Sequence, residues 1–116
     1  MTEKVAALRG ESTDNAVELR GRVCSTGAVI TTFRLSVPRA RTPMTSGSAQ
    51  SVDWVDCTAW AARCRRSVSG WVVGDEVEVG GALRRRFFRA GVGSSTRLEV
   101  EVLTARRARA REQPAG

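Results

Sequence analysis

The chain has no histidine and no tyrosine, a single lysine and only three cysteines. Lack of histidine removes the commonest general base and the commonest metal ligand together. The cysteines, Cys24, Cys57 and Cys64, are odd in number and show no CxxC spacing, so no zinc site is expected from them. They read as buried, reduced thiols of a cytoplasmic protein. No apolar run approaches the ~18 residues a membrane span needs. Glu3, Glu11 and Asp14 interrupt the N-terminal stretch, which is not expected to be a secretory signal. Enzyme readings fare badly too. A Ser or Cys nucleophile has no recognisable base beside it, and no phosphate-binding GxxxxGK[ST] occurs. Glu99 and Glu101 share a strand face, but alternating charge along a strand explains them without a metal. No catalytic residue, metal or cofactor is expected.

What is present is positive charge. In 116 residues, 19 Lys and Arg face 12 Asp and Glu, a formal charge of +7, and 18 of the 19 are arginine. Such an excess points to a polyanionic partner. The length supports one domain, and 41% hydrophobic residues can fill a core.

Periodicity predicts strands almost everywhere. Val17, Leu19, Gly21 and Val23 alternate with charged residues, and Phe33, Leu35 and Val37 form a second alternating run that Pro38 ends. A short hairpin joins the two. Residues 38–51 form a long, flexible connection with Arg39 and Arg41 at its base. The third strand, 52–60, places Val55, Cys57 and Ala59 on one face and Trp54, Asp56, Thr58 and Trp60 on the other. Ala61, Cys64, Val68 and Trp71 recur at near-helical intervals. After Gly74-Asp75 a fourth strand carries Val77, Val79, Leu83 and Phe87 on its core side and Arg84, Arg86 and Phe88 outward. Gly80-Gly81 predicts a bend or bulge within it. Leu98, Val100 and Val102 define a fifth strand. Five strands with one short helix between the third and fourth is the order of the OB-fold, an all-β Greek-key barrel. The expected organisation is an N-terminal extension (1–14), a barrel (15–103) and a basic, mobile tail (104–116) bearing Arg106, Arg107, Arg109 and Arg111.

Two indoles on a polar strand face are costly to leave wet unless something flat covers them. A nucleobase does so. Trp54, Trp60 and Phe88 are therefore the candidate stacking platforms, and Arg39, Arg41, Arg84 and Arg86 the candidate phosphate contacts. Phe33 and Trp71 fit the apolar stripes and read as structural, and the Arg63–Arg66 group as solvated surface.

The blocks Asn15-Ala-Val-Glu-Leu-Arg-Gly-Arg-Val23, Phe33-Arg-Leu-Ser-Val37, Val52-Asp-Trp-Val-Asp-Cys-Thr-Ala-Trp60, Gly74-Asp-Glu-Val-Glu-Val-Gly-Gly-Ala-Leu-Arg84 and Arg97-Leu-Glu-Val-Glu-Val102 resemble successive segments of the bacterial single-stranded DNA-binding protein family, in particular its short actinobacterial members. The resemblance implies an OB-fold that binds single-stranded DNA without sequence preference, as a dimer or tetramer associated with the nucleoid, in replication, repair or recombination. It implies stacking by Trp54, Trp60 and Phe88. The chain departs from the family in a shorter first hairpin, in Arg39 and Arg41 where a further aromatic is common, and in a basic segment where an acidic-tipped tail is usual. Those departures suit a paralogue with an accessory role. Two alternatives share the same surface: RNA binding, and a structural subunit whose aromatic face meets another protein.

Overall fold

The alternating segments become β1 (Val17–Thr26), β2 (Thr32–Pro38), β3 (Val52–Thr58), β4 (Glu76–Arg89) and β5 (Ser94–Arg109), with the helix α1 (Ala62–Ser69) between β3 and β4. The computed structural model describes residues 14–27, 31–89 and 93–110, without the side chains of Phe88, Arg89 and Ser94. The strands close in the order β1-β2-β3-β5-β4. All pairings are antiparallel except β3 with β5. Closure leaves no strand of the barrel without a hydrogen-bonding neighbour on either side. This is the five-stranded OB barrel.

The inward residues of the five strands meet as one core: Val23, Phe33, Leu35, Cys57, Ala59, Val77, Val79, Val100 and Val102. An eight-residue helix is too short to hold itself in water. α1 is fixed by burying Cys64 and Val68, and by the Cys64 thiol donating to the Leu103 carbonyl at 3.2 Å. Trp71, just past the helix rather than within it, closes the same end, edge-on to Phe33 with ring centres 5.3 Å apart. Both rings are structural, as the apolar stripes require.

One of the two register shifts between β4 and β5 falls at Gly80/Gly81, where the fourth strand was expected to bend. The extra residue, however, is Leu103 on β5, because Gly80 pairs with Thr104 and Gly81 with Val102. Glycine is demanded at 81: a Cβ there would lie 1.8 Å from the Glu101 carbonyl oxygen. The parity of β4 thus runs on unbroken, while that of β5 inverts, from Val100 and Val102 to Ala105, which packs on the core.

Several expectations are corrected. Phe87 keeps the side assigned to it but is not core, being 75% exposed. The β4–β5 ribbon outruns the barrel, so its inner face lacks a floor beyond Val100, and Leu83 and Leu98 are exposed with it. The tail does not start at Thr104, because β5 continues to Arg109, with Arg106 opposite Glu78 and Arg107 opposite Val77. Arg111 and the N-terminal residues 1–13 lie outside the described residues. Among the thiols, Cys57 and Cys64 are buried but Cys24 is exposed, on an outward position of β1.

Candidate nucleic-acid interface

Alternation along β3 turns Val55 and Cys57 to the core and Trp54 and Asp56 outward. Register sets what stands beside them. Ser36 of β2 lies opposite Trp54, and Arg34 opposite Asp56. Serine is too short to cover an indole, and Trp54 is 60% exposed. Trp60 follows the end of β3, where Ala59 N–H donates to the Thr31 carbonyl at 3.0 Å and the Thr31 hydroxyl donates to the Ala59 carbonyl at 3.0 Å. These bonds fix the chain entering α1 and leave Trp60 53% exposed. The Arg86 guanidinium lies over its ring, 5.6 Å from the centroid, a cation–π contact.

Close to these elements lies an open groove of about 320 Å³ lined by Arg34, Asp56, Thr58, Arg86, Arg97 and Glu99 among others. Its charges are paired. Arg34 Nε donates to Asp56 at 2.8 Å, and this hydrogen bond is the main cause that raises the Arg34 guanidinium above its ordinary value. Arg86 donates to Glu99 at 3.1 Å, a carboxylate that is 5% exposed. On the ribbon, Arg84 donates to Glu101 at 2.9 Å. Thr58, expected outward, is buried among these neighbours. Cys57 beneath is no nucleophile, since burial, with the charges of Asp56 and Glu99, pushes its thiol up to about 12.

Of the residues singled out from sequence, Trp54, Trp60, Arg84 and Arg86 stand on the outer surface of β3 and of the ribbon. Phe88 follows Arg84 and Arg86 in the outward register, opposite Ser95, but its side chain lies outside the described residues. Arg39 is tied down at the foot of the loop: it pairs with Asp53 at 3.2 Å and its side chain is only 17% exposed. The loop itself is closed by Arg39 N–H on the Ser51 carbonyl and by mutual bonds of Thr42 and Thr45. Arg41 is exposed on it. Sequence reasoning missed Arg34 and Arg97. Alternation along β2 carried the signal for Arg34, because the residue between two core positions, Phe33 and Leu35, must face out.

A closed barrel with a helix between β3 and β4, two open indoles and an arginine-lined groove on its outside define an OB-fold domain with an aromatic, cationic face. No protein-family model and no curated protein sequence matches the chain. Solved structures do. The mitochondrial single-stranded DNA-binding protein of S. cerevisiae aligns over 84% of this chain and 98% of its own, with a TM-score of 0.62 at 13% identity. A Plasmodium falciparum SSB, solved with single-stranded DNA, aligns over 78% of this chain and 88% of its own, with a TM-score of 0.64 at 19% identity. The small single-stranded DNA-binding protein of Streptomyces coelicolor aligns over 82% and 94%, with a TM-score of 0.57 at 19% identity. At these identities the likeness is one of fold.

Proposed function

We propose that the protein binds single-stranded DNA, largely irrespective of sequence, by stacking bases on Trp54 and Trp60 and pairing phosphates with arginines of the same face. One observation carries this reading: two indoles, each more than half exposed, stand outside the core of a closed barrel, and the Arg86 guanidinium lies over one of them, Trp60. Stacking is indifferent to sequence because every base has a flat face, and each stacked base contributes about 1–3 kcal/mol. Phe88, next in the outward register of the ribbon, is proposed as a third platform. Arg84 and Arg86 are proposed as phosphate contacts on the ribbon. Arg41 and Arg39 are proposed as contacts at the loop, Arg39 contributing less because Asp53 already holds it.

The five sequence blocks support membership of the bacterial single-stranded DNA-binding protein family, in the form of a short actinobacterial paralogue. The role proposed is non-enzymatic: a homo-oligomer coating single strands in the cytoplasm during replication, repair or recombination. Titrating the protein with a mixed-sequence oligodeoxynucleotide while following tryptophan emission tests the reading. Quenching at low salt, reversed by added salt, is expected. Unchanged emission with no complex by native mass spectrometry refutes it. An equal-length RNA titrated alongside separates the two polymers, since 2′-hydroxyl contacts distinguish them where stacking does not.

A further inference from the structure

Most of the arginines on the face proposed to bind a polyanion are already paired. Four ion pairs lie on or beside that face: Arg34–Asp56 at 2.8 Å, Arg84–Glu101 at 2.9 Å, Arg86–Glu99 at 3.1 Å and Arg39–Asp53 at 3.2 Å. Each sets one carboxylate against one guanidinium, so together they add nothing to the net charge of +7. Most of the surplus sits elsewhere. The α1 residues Arg63, Arg65 and Arg66, together with Arg41 on the loop, are exposed and form no ion pair among the described residues.

We propose that Asp56, Glu99 and Glu101 are affinity-setting residues, which hold Arg34, Arg86 and Arg84 in cis so that a nucleic-acid phosphate must displace or share a carboxylate already in place. The inference rests on the reading of this face as a strand-binding surface. Its geometry separates the three carboxylates. Asp56 and Glu101 are about a third exposed, and their arginine partners half exposed, so a phosphate can approach the open side of each guanidinium. Glu99 is almost wholly buried and binds the arginine that lies on Trp60. It therefore acts as a positioning residue, keeping Arg86 over the Trp60 ring. The consequence is a surface that grips by stacking and takes less than its arginine content suggests from phosphate neutralisation. A polymer that presents phosphates without accessible base faces gains little there, so duplex DNA is disfavoured against single strands.

The test is a pair of double-mutant cycles on the full chain, read by anisotropy of a labelled oligo-dT across a range of salt concentrations. Exposed ion pairs are worth about 0.2–1 kcal/mol, so D56N and E101Q are each expected to tighten binding at low salt by up to about fivefold. Each should also steepen the slope of log K against log salt by about 0.7, the value for one additional phosphate neutralised on a single strand. In the R34A background D56N should have no effect, and in the R84A background E101Q should have none. Tightening that persists without the partner arginine reflects general charge, and overturns the proposal. So does unchanged or weakened binding by both folded single variants. Two separate pairs keep the test decisive if one variant misfolds. Absence of binding by the unmodified chain refutes the proposed function itself, and so is distinguishable from failure of this inference.

Discussion

Replacing Trp54 by alanine separates the binding surface from the fold. An indole side chain offers roughly 250 Å² of surface, and 60% of Trp54 is open to solvent. A base covers one flat side, about half of the open area, so roughly 75 Å² leaves water on stacking. At ~25 cal/mol per Å² this contributes about 2 kcal/mol, inside the range measured for base–aromatic stacking. The expected result is a Kd for oligo-dT raised about thirtyfold. Trp54 belongs to no part of the hydrophobic core cluster, and only Ser36 stands opposite it. Circular dichroism of Trp54→Ala should therefore remain that of the parent. The assay is anisotropy at low salt, with the spectrum of each sample recorded beside it. A folded variant whose Kd changes by less than about twofold refutes the stacking argument at this position.

Gly81→Ala is expected to destabilise by about 3 kcal/mol or more, because the new Cβ meets a backbone oxygen that cannot rotate away. Gly47→Ala, with nothing within 4 Å, should change the urea midpoint negligibly. Phe33→Ala should cost about 3–5 kcal/mol by removing the ring that meets Trp71 in the core, again read by urea unfolding. Cys24 should react with a thiol reagent in the native protein, while Cys57 and Cys64 should react only after unfolding; rapid native labelling of all three would contradict the burial described. The folded Cys57 thiol is pushed up to about 12 from an ordinary 9.0, so it binds its proton more tightly in the native state than in the unfolded chain. Its contribution to stability is complete below pH 9 and is lost as pH rises from 9 towards 12, with a slope of about 1.4 kcal/mol per pH unit. Cys57→Ala should flatten that part of a stability–pH curve.

Much of the fold was legible because a strand buried on one side must alternate, and the chain alternates with few breaks. Val55 and Cys57 against Trp54 and Asp56 follow from alternation alone, and so does the helix that buries Cys64 and Val68. Trp54 was legible for the same reason, since parity puts it opposite the core residues of its own strand, whereas Trp60 stands past the end of β3, beyond the break in alternation at Thr58. Parity states a side, however, not a depth. It placed Phe87 correctly beside Leu83 and could not say that the barrel stops short of both. It could not find the extra residue at Leu103 either, since the need for it arises from the close approach of Gly81 to the Glu101 carbonyl on another strand.

By itself, then, the order of apolar and polar residues determined the number and sequence of the strands, the place of the helix and the outward turn of Trp54, because each follows from local geometry with a period of two or near 3.6. Partnership belongs to the tertiary structure alone. Asp56 reaches Arg34 from 22 residues away, Glu99 reaches Arg86 from 13 and Glu101 reaches Arg84 from 17. No spacing within one strand encodes such contacts; they arise from the register between strands, and that register is set by how the closed barrel packs its core.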